Sequence, residues 1–311
     1  LTFSTSKHSC IIANIPIIIS LIALFVVEWS LFRSWWNTWN TPYSYYSHGM
    51  MVPILVGIII YSRRRQLSEV DEKPALLWGI ILLLGYLISH IAGQLTDRVI
   101  PQGLALILYV FAITLILKGP KTTKILTAPI LLLISMMPLG STLLDALTNK
   151  FQIISSKIAG MIIYIFTGNI SLDGTIINSS SLPEPLIVGI PCSGLRLLVS
   201  LITFGLFFGM IANGANWKKG LLIALALPIG VLVNSLRVAI IGLVGVITYS
   251  PDIMHLSHDY SGYLSLIICF IIIFGFARMF KFQVVGLDKT DPAEKFKWAK
   301  PIYGFGFTFI L

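Results

Sequence analysis

The sequence predicts an all-α fold: a polytopic transmembrane helical bundle of about eight spans, with an outer-face interfacial helix and a short outer hairpin. Three observations predict it. Of the 311 residues, 56% are hydrophobic and only 11% charged, where a soluble domain carries about 25% charged residues. The hydrophobic residues gather in long runs, and no polar stretch between them could build a soluble domain. The net charge of +9 is not spread over one face but falls in short basic clusters between the runs. That is the positive-inside pattern, so the charge argues for a lipid bilayer as partner and against nucleic acid.

The first apolar run, residues 11–27, has no small-residue cleavage site and reads as a retained helix. Residues 28–47 are dense in aromatic side chains (Trp29, Trp35, Trp36, Trp39, Tyr43, Tyr45, Tyr46), as suits a membrane–water interface. Residues 50–61 make a short second span, and Arg63, Arg64 and Arg65 mark the cytoplasmic side after it. Residues 75–91 and 104–117 are the third and fourth spans, after which Lys118, Lys121 and Lys124 bring the chain back to the cytoplasm. Residues 125–139 are the fifth, bent at Pro129 and again near its end at Pro138.

The next apolar run, residues 158–166, is too short to cross a bilayer. Charge parity decides its place. Lys121 is inside, so the fifth span ends outside; Trp217-Lys218-Lys219 is inside, so the span 192–211 begins outside. Residues 143–167 are therefore expected to lie on or dip into the outer face, and residues 168–189, which alternate polar and apolar with turn residues, to form a short hairpin. Residues 220–249 run outward, residues 250–258 form an outer loop, and residues 262–280 are the last span, ending at Arg278 and Lys281 inside. This gives a transmembrane domain, residues 1–283, and a charged cytoplasmic tail, residues 284–311, with no internal repeat.

Pro191-Cys192-Ser193-Gly194-Leu195-Arg196 sits where a polar, turn-rich segment gives way to a long apolar run. A cysteine there can be reached from water, and a helix N-terminus beside it favours the thiolate. Pro191 suits the first turn of a helix, and Gly194 leaves room for another chain to approach the sulfur. A lone cysteine is more often a small buried hydrophobe, which is the reading given to Cys10 and Cys269, at or within apolar runs. Arg237 lies inside the apolar run 232–246. Counted from Gly220 it is roughly 25 Å along the helix, near the outer boundary of a hydrocarbon core about 30 Å thick. His258 stands just before Gly262, on the same side.

Three spans thus bring a thiol, a guanidinium and an imidazole to one depth. Cys192 is read as the nucleophile, His258 as the group that takes and gives protons, and Arg237 as a cation that lowers the thiol pKa or holds a developing oxyanion. An arginine in a span is costly unless paired or functional. His255, one turn from His258, competes for its role. Asn234, one turn before Arg237, orients the guanidinium, supplies an oxyanion donor, or bonds a neighbouring helix. His8, His48, His90, His255 and His258 show no ligand spacing, and the cysteines show no CxxC, so neither metal nor cofactor is implied.

In order and spacing, the Cys192 segment, Asn234-Ser235-Leu236-Arg237 and His258-Asp259-Tyr260-Ser261-Gly262 resemble the exosortase/archaeosortase family. Tyr45-Tyr46-Ser47-His48-Gly49, running on to Arg63-Arg64-Arg65, resembles that family's aromatic-rich N-terminal region, and the likeness covers roughly residues 28 to 280. The resemblance implies a polytopic cysteine transpeptidase, analogous to sortases by convergence on a Cys–Arg–His arrangement. Cys192, Arg237 and His258 would fill it, with Asn234, Ser193, Gly194 and His255 in support. The histidine in the third motif looks like the bacterial branch. The resemblance further implies the cytoplasmic (inner) membrane, with the site facing the periplasm or outer side. Its partners would be membrane-anchored proteins whose C-terminus carries a Pro-Glu-Pro-type sorting signal, a transmembrane helix and a basic tail. The chain carries no such C-terminal signal and reads as the processing enzyme. Two rivals stand beside this. A transporter would use Arg237 to bind an anionic substrate, and repeated halves would support it. A lipid or glycosyl transferase would want acidic residues at the outer face, where Asp252, Asp259 and Glu184 are scattered.

Overall fold

The computed structural model describes residues 5–41, 44–71, 73–138, 141–189 and 192–284, and the protein is mostly helical. Pro191 and the tail from residue 285 onward lie outside the described residues. The first helix, α1 (Thr5–Val27), stops at Glu28, and α2 (Trp29–Asn40) leaves at 74° to it. Glu28 fixes the bend: its carboxylate is buried and takes a 2.7 Å hydrogen bond from His90 Nδ1. In α2 the aromatic residues divide by helical period. Leu31, Trp35 and Trp39 face the core, while Trp29 and Trp36 stay exposed.

A 3₁₀ turn (Ser47–Met51) leads into α3 (Val52–Ser62), and α4 (Arg64–Ser68) follows. Next come α5 (Leu76–Thr96) and α6 (Val99–Leu132), packed together as a hairpin. α6 is broken at Gly119, whose φ of 78° and ψ of 179° are not helical. Pro120 explains the break, because it has no N–H and drives the preceding residue out of the α region. The break falls among Lys118, Lys121 and Lys124, where the sequence predicts the division between two spans.

α7 (Ser141–Thr167) is one unbroken helix, and its buried face of Ser155, Ser156, Ala159 and Ile163 lies along α9 (Asn216–Thr248). Small residues permit this close approach. After α7 comes an antiparallel sheet of β1 (Ser171–Asp173), β2 (Ile176–Asn178) and β3 (Leu186–Ile187), in that order. The expected hairpin therefore gains a third strand, too short to show periodicity and set just after Pro183 and Pro185. α8 (Leu195–Ile211), β4 (Ala212–Asn213), α9, α10 (Pro251–Met279) and β5 (Gln283–Val284) complete the described chain, with β4 and β5 paired at the end of the bundle opposite the sheet.

One expectation is corrected. Residues 250–258 are not a loop, because α10 already begins at Pro251. Pro251 presets a helical φ at the first turn, Asp252 complements the helix dipole, and Met254 is buried against Gly245 of α9. His258 is consequently carried on a helix. The span count also differs. Among the described residues four helices are long and apolar enough to cross a membrane, or up to five with the bent α1–α2 pair, and Ser47–Ser62 and α8 are shorter apolar helices. On that measure the expected total of about eight is not reached.

The apolar interior forms three clusters. The largest joins α2, α3, α5, α6 and α8; another joins α8, α9 and α10; the third lies under the sheet and takes in Cys192. They meet at residues 192–198, since Cys192, Leu197 and Leu198 belong one to each. The break in α6 gives a test. A Cβ on Gly119 would lie 1.9 Å from the Lys73 carbonyl oxygen, at a φ that L-residues avoid. Gly119→Ala is expected to cost about 1–3 kcal/mol, read as a lower midpoint of thermal unfolding in detergent; an unchanged midpoint would mean the break tolerates a side chain.

Candidate active site

Cys192 lies in the turn between β3 and α8. Its N–H donates to Gly189 O at 2.9 Å, and Gly194, with φ 76°, turns the chain into α8. The Ser193 hydroxyl oxygen accepts from Leu195 N at 3.3 Å and so closes the same turn. A Cβ on Gly194 would meet Asn234 side-chain atoms at 3.0–3.3 Å and would sit at a φ of 76° that L-residues avoid, so glycine suits the turn where it passes Asn234.

His258 Nε2 lies 3.0 Å from Cys192 Sγ. On the other side of the ring, Nδ1 faces Asp259 Oδ1 at 3.3 Å. That contact favours the tautomer with the proton on Nδ1 and leaves Nε2 free to accept from the thiol. Arg237, on α9, fixes the turn of α10 that carries the imidazole. Its Nε donates to Ser261 Oγ and its Nη2 to His258 O, both at 2.9 Å, and Ser261 Oγ donates to His258 O at 3.1 Å. Asn234, fully buried one turn earlier on α9, donates from Nδ2 to Cys192 O at 2.5 Å and to Ser155 Oγ at 3.0 Å.

Cys192, Ser193, Gly194, Asn234, Arg237 and His258 thus come together at one place. His255 does not join them: its side chain is 70% exposed and bonds Glu184 Oε1 at 3.0 Å. Both Asn234 N–H groups are spent on the Cys192 turn and α7, which leaves none for an oxyanion, and its Oδ1, the atom that could accept from the guanidinium, is buried with no hydrogen-bond partner among the described residues. Cys269 is buried in α10, and the side chain of Cys10 lies outside the described residues. Sequence reasoning missed Ser155 and Ser261. Ser261 had a signal, since it stands one helical turn from His258; Ser155 had none, because only the packing of α7 on α9 brings it in. The chain itself contains the tripeptide Pro183-Glu184-Pro185. It lies between β2 and β3, with Glu184 engaged by His255.

A cavity of about 760 Å³ opens beside these residues, with Gly194, Asn234, Arg237 and His258 on its wall. Cys192 is only 4% exposed and does not line the cavity, whereas its neighbours Gly194 and His258 do.

A family model described as transmembrane exosortase matches residues 35–275, a stretch that contains every residue of this site. The chain belongs to the transmembrane exosortase family. No curated protein and no solved structure matches it. The family is in general one of cysteine transpeptidases that act on membrane-associated substrates with sorting signals.

In this exosortase the surroundings of Cys192 favour the neutral thiol. Burial pushes the Cys192 thiol above its ordinary value, and the nearby Arg237 guanidinium pulls it part of the way back. The thiolate therefore appears at higher pH than that of a free cysteine. Alkylation at Cys192 by iodoacetamide, read by mass spectrometry of the peptide that carries it, is expected to accelerate only on the alkaline limb. Arg237→Gln removes the opposing cation and is expected to move that limb further up. A limb below that of free cysteine would mean a resting thiolate–imidazolium pair instead.

Proposed function

We propose that this exosortase is a cysteine transpeptidase that cleaves a C-terminal Pro-Glu-Pro-type sorting signal of secreted proteins and transfers the protein to an acceptor. The reading rests above all on the 3.0 Å contact between His258 Nε2 and Cys192 Sγ, made between residues of two different elements. Such a contact is what a nucleophile and its general base require.

In the proposed course the Cys192 thiol gives its proton to His258 Nε2 as the sulfur attacks the scissile carbonyl carbon. The oxyanion forms beside the first turn of α8, whose leading N–H groups have no acceptor within the helix. Collapse breaks the C–N bond, and the proton on Nε2 passes to the leaving amine. A thioester remains on Cys192. An acceptor amine, or water in the hydrolytic branch, then attacks the thioester and gives its proton to Nε2; the proton returns to the departing sulfur. Arg237 keeps the His258 turn in place and favours the developing thiolate through its charge.

The enzyme sits in the cytoplasmic membrane with its sheet end facing the periplasm or outer side and Arg63–Arg65 and Lys218 facing the cytoplasm. About eight spans result when α1, α3, α5, the two halves of α6, α8, α9 and α10 each count as one. Residues 1–283 form the catalytic domain and 284–311 a cytoplasmic tail. Substrates are membrane-anchored proteins that present the signal at the site's level.

The test is conversion of a co-expressed, tagged substrate in membranes. Cys192→Ser is expected to abolish conversion with the protein level unchanged, and normal cleavage would remove the thiol mechanism. Arg237→Lys is expected to fail almost as badly as Arg237→Ala, with a rate loss of about 10²–10³. One ammonium cannot serve both Ser261 Oγ and His258 O as the guanidinium fork does. A lysine variant that keeps most activity, beside an alanine variant lost from the membrane, would make Arg237 structural.

A further inference from the structure

Arg196 is in the first turn of α8, on the wall of the cavity that Arg237 and His258 also line. The two arginines differ in their commitments. Arg237 is bonded to the turn of α10 that carries the histidine. Among the described residues Arg196 donates only from Nε, to Ser47 Oγ at 3.0 Å, and no carboxylate pairs with it. Ser47 lines the same cavity. This bond orients the guanidinium and leaves its two terminal nitrogens for a ligand. A guanidinium held this way presents the fork that matches a carboxylate.

A second polar residue borders the same cavity. His48 is 6% exposed there, with its Nε2 facing Ser135 O at 3.1 Å. Among the described residues the cavity wall therefore holds a cation that no carboxylate pairs with, since Asp259 on the same wall faces His258 Nδ1. The polar side chains gather at the level of His258. Further along, Phe204 on α8 and Leu266 and Phe270 on α10 make the wall apolar. From His258 to Phe270 the helix rises about 18 Å. An occupant thus lays its reacting bond at His258, its apolar part toward Phe270, and an anionic group against Arg196.

We propose that Arg196, oriented by Ser47, is a specificity-determining residue that binds a carboxylate side chain of the substrate within about three residues of the scissile bond. The proposal rests on the transpeptidase reading for its reaction, but its binding half can be tested apart from it.

The first experiment uses the full chain purified in neutral detergent and labels arginines with phenylglyoxal, read at Arg196 by mass spectrometry. The probes are a blocked tripeptide with a central glutamate and its glutamine twin. The glutamate peptide is expected to slow labelling of Arg196 several-fold and the glutamine peptide to leave it unchanged. Equal protection by both overturns the proposal. Protection by phosphatidylglycerol micelles alone, with no added effect of the glutamate peptide, also overturns it, because the site would then serve a lipid phosphate. The second experiment compares membrane reporters that carry Glu, Gln or Lys at one position beside the cleavage site. Wild type is expected to prefer Glu over Gln about tenfold, with the difference carried in KM. Arg196→Gln should make the two equal, and Arg196→Glu should favour Lys. Equal loss on both reporters with the preference intact overturns the proposal. If wild type cleaves no reporter, the reaction reading fails, and the labelling result still decides the role of Arg196.

Discussion

Polar groups buried in an apolar bundle must bond one another, and in this chain that constraint falls on α9. Asn234 and Arg237, one turn apart, face two different neighbours. Asn234 holds the Cys192 carbonyl and reaches α7; Arg237 holds the turn of α10 that carries His258. The sulfur and the imidazole come from separate elements 3.0 Å apart, and each element is tied to α9 by one of these side chains. An unmatched donor in this setting costs about 1–3 kcal/mol, so sequence changes at either side chain act on the fold and the site together.

The packing repeats this arrangement on a larger scale. Residues 192–198 belong to three apolar clusters at once, so the nucleophile's turn is clamped from three directions. The cluster under the sheet buries Cys192 beside Val188, Val238 and Met254. That burial raises the thiol's pKa, and Arg237 offsets part of the rise. This balance favours the neutral thiol at rest beside His258, with charge appearing on the sulfur only as it attacks. The polar level of the cavity and the apolar wall beyond it meet beside the same pair, so chemistry and substrate selection share one depth of the bundle.

Composition and charge clustering determined the class of this protein. In a bilayer only helices and closed barrels satisfy the backbone, and apolar runs this long and unalternating suit helices. The residue types at Cys192, Arg237 and His258 were also legible, because a thiol at a helix start, a guanidinium within a span and an imidazole at a span boundary are each costly or reactive enough to stand out. The family followed from their order and spacing. Short-range signals were less secure. Ser250-Pro251 read as part of a loop and proved to start a helix, since a proline at the first helical turn and one in a loop look alike until the next turn packs. What only the tertiary structure decided is pairing. His255 and His258 are equivalent by type and separated by one turn; the rotation of α10 turns one toward Glu184 and the other toward Cys192. Asn234 had three plausible partners in sequence, and the approach of α7 to α9 selected among them. Arg196 and Ser47 stand 149 positions apart and meet only when α3 and α8 pack. Hydrogen bonds reach about 3 Å, and whether two side chains come that close depends on helix rotation and packing, which the sequence pattern of a single helix does not contain.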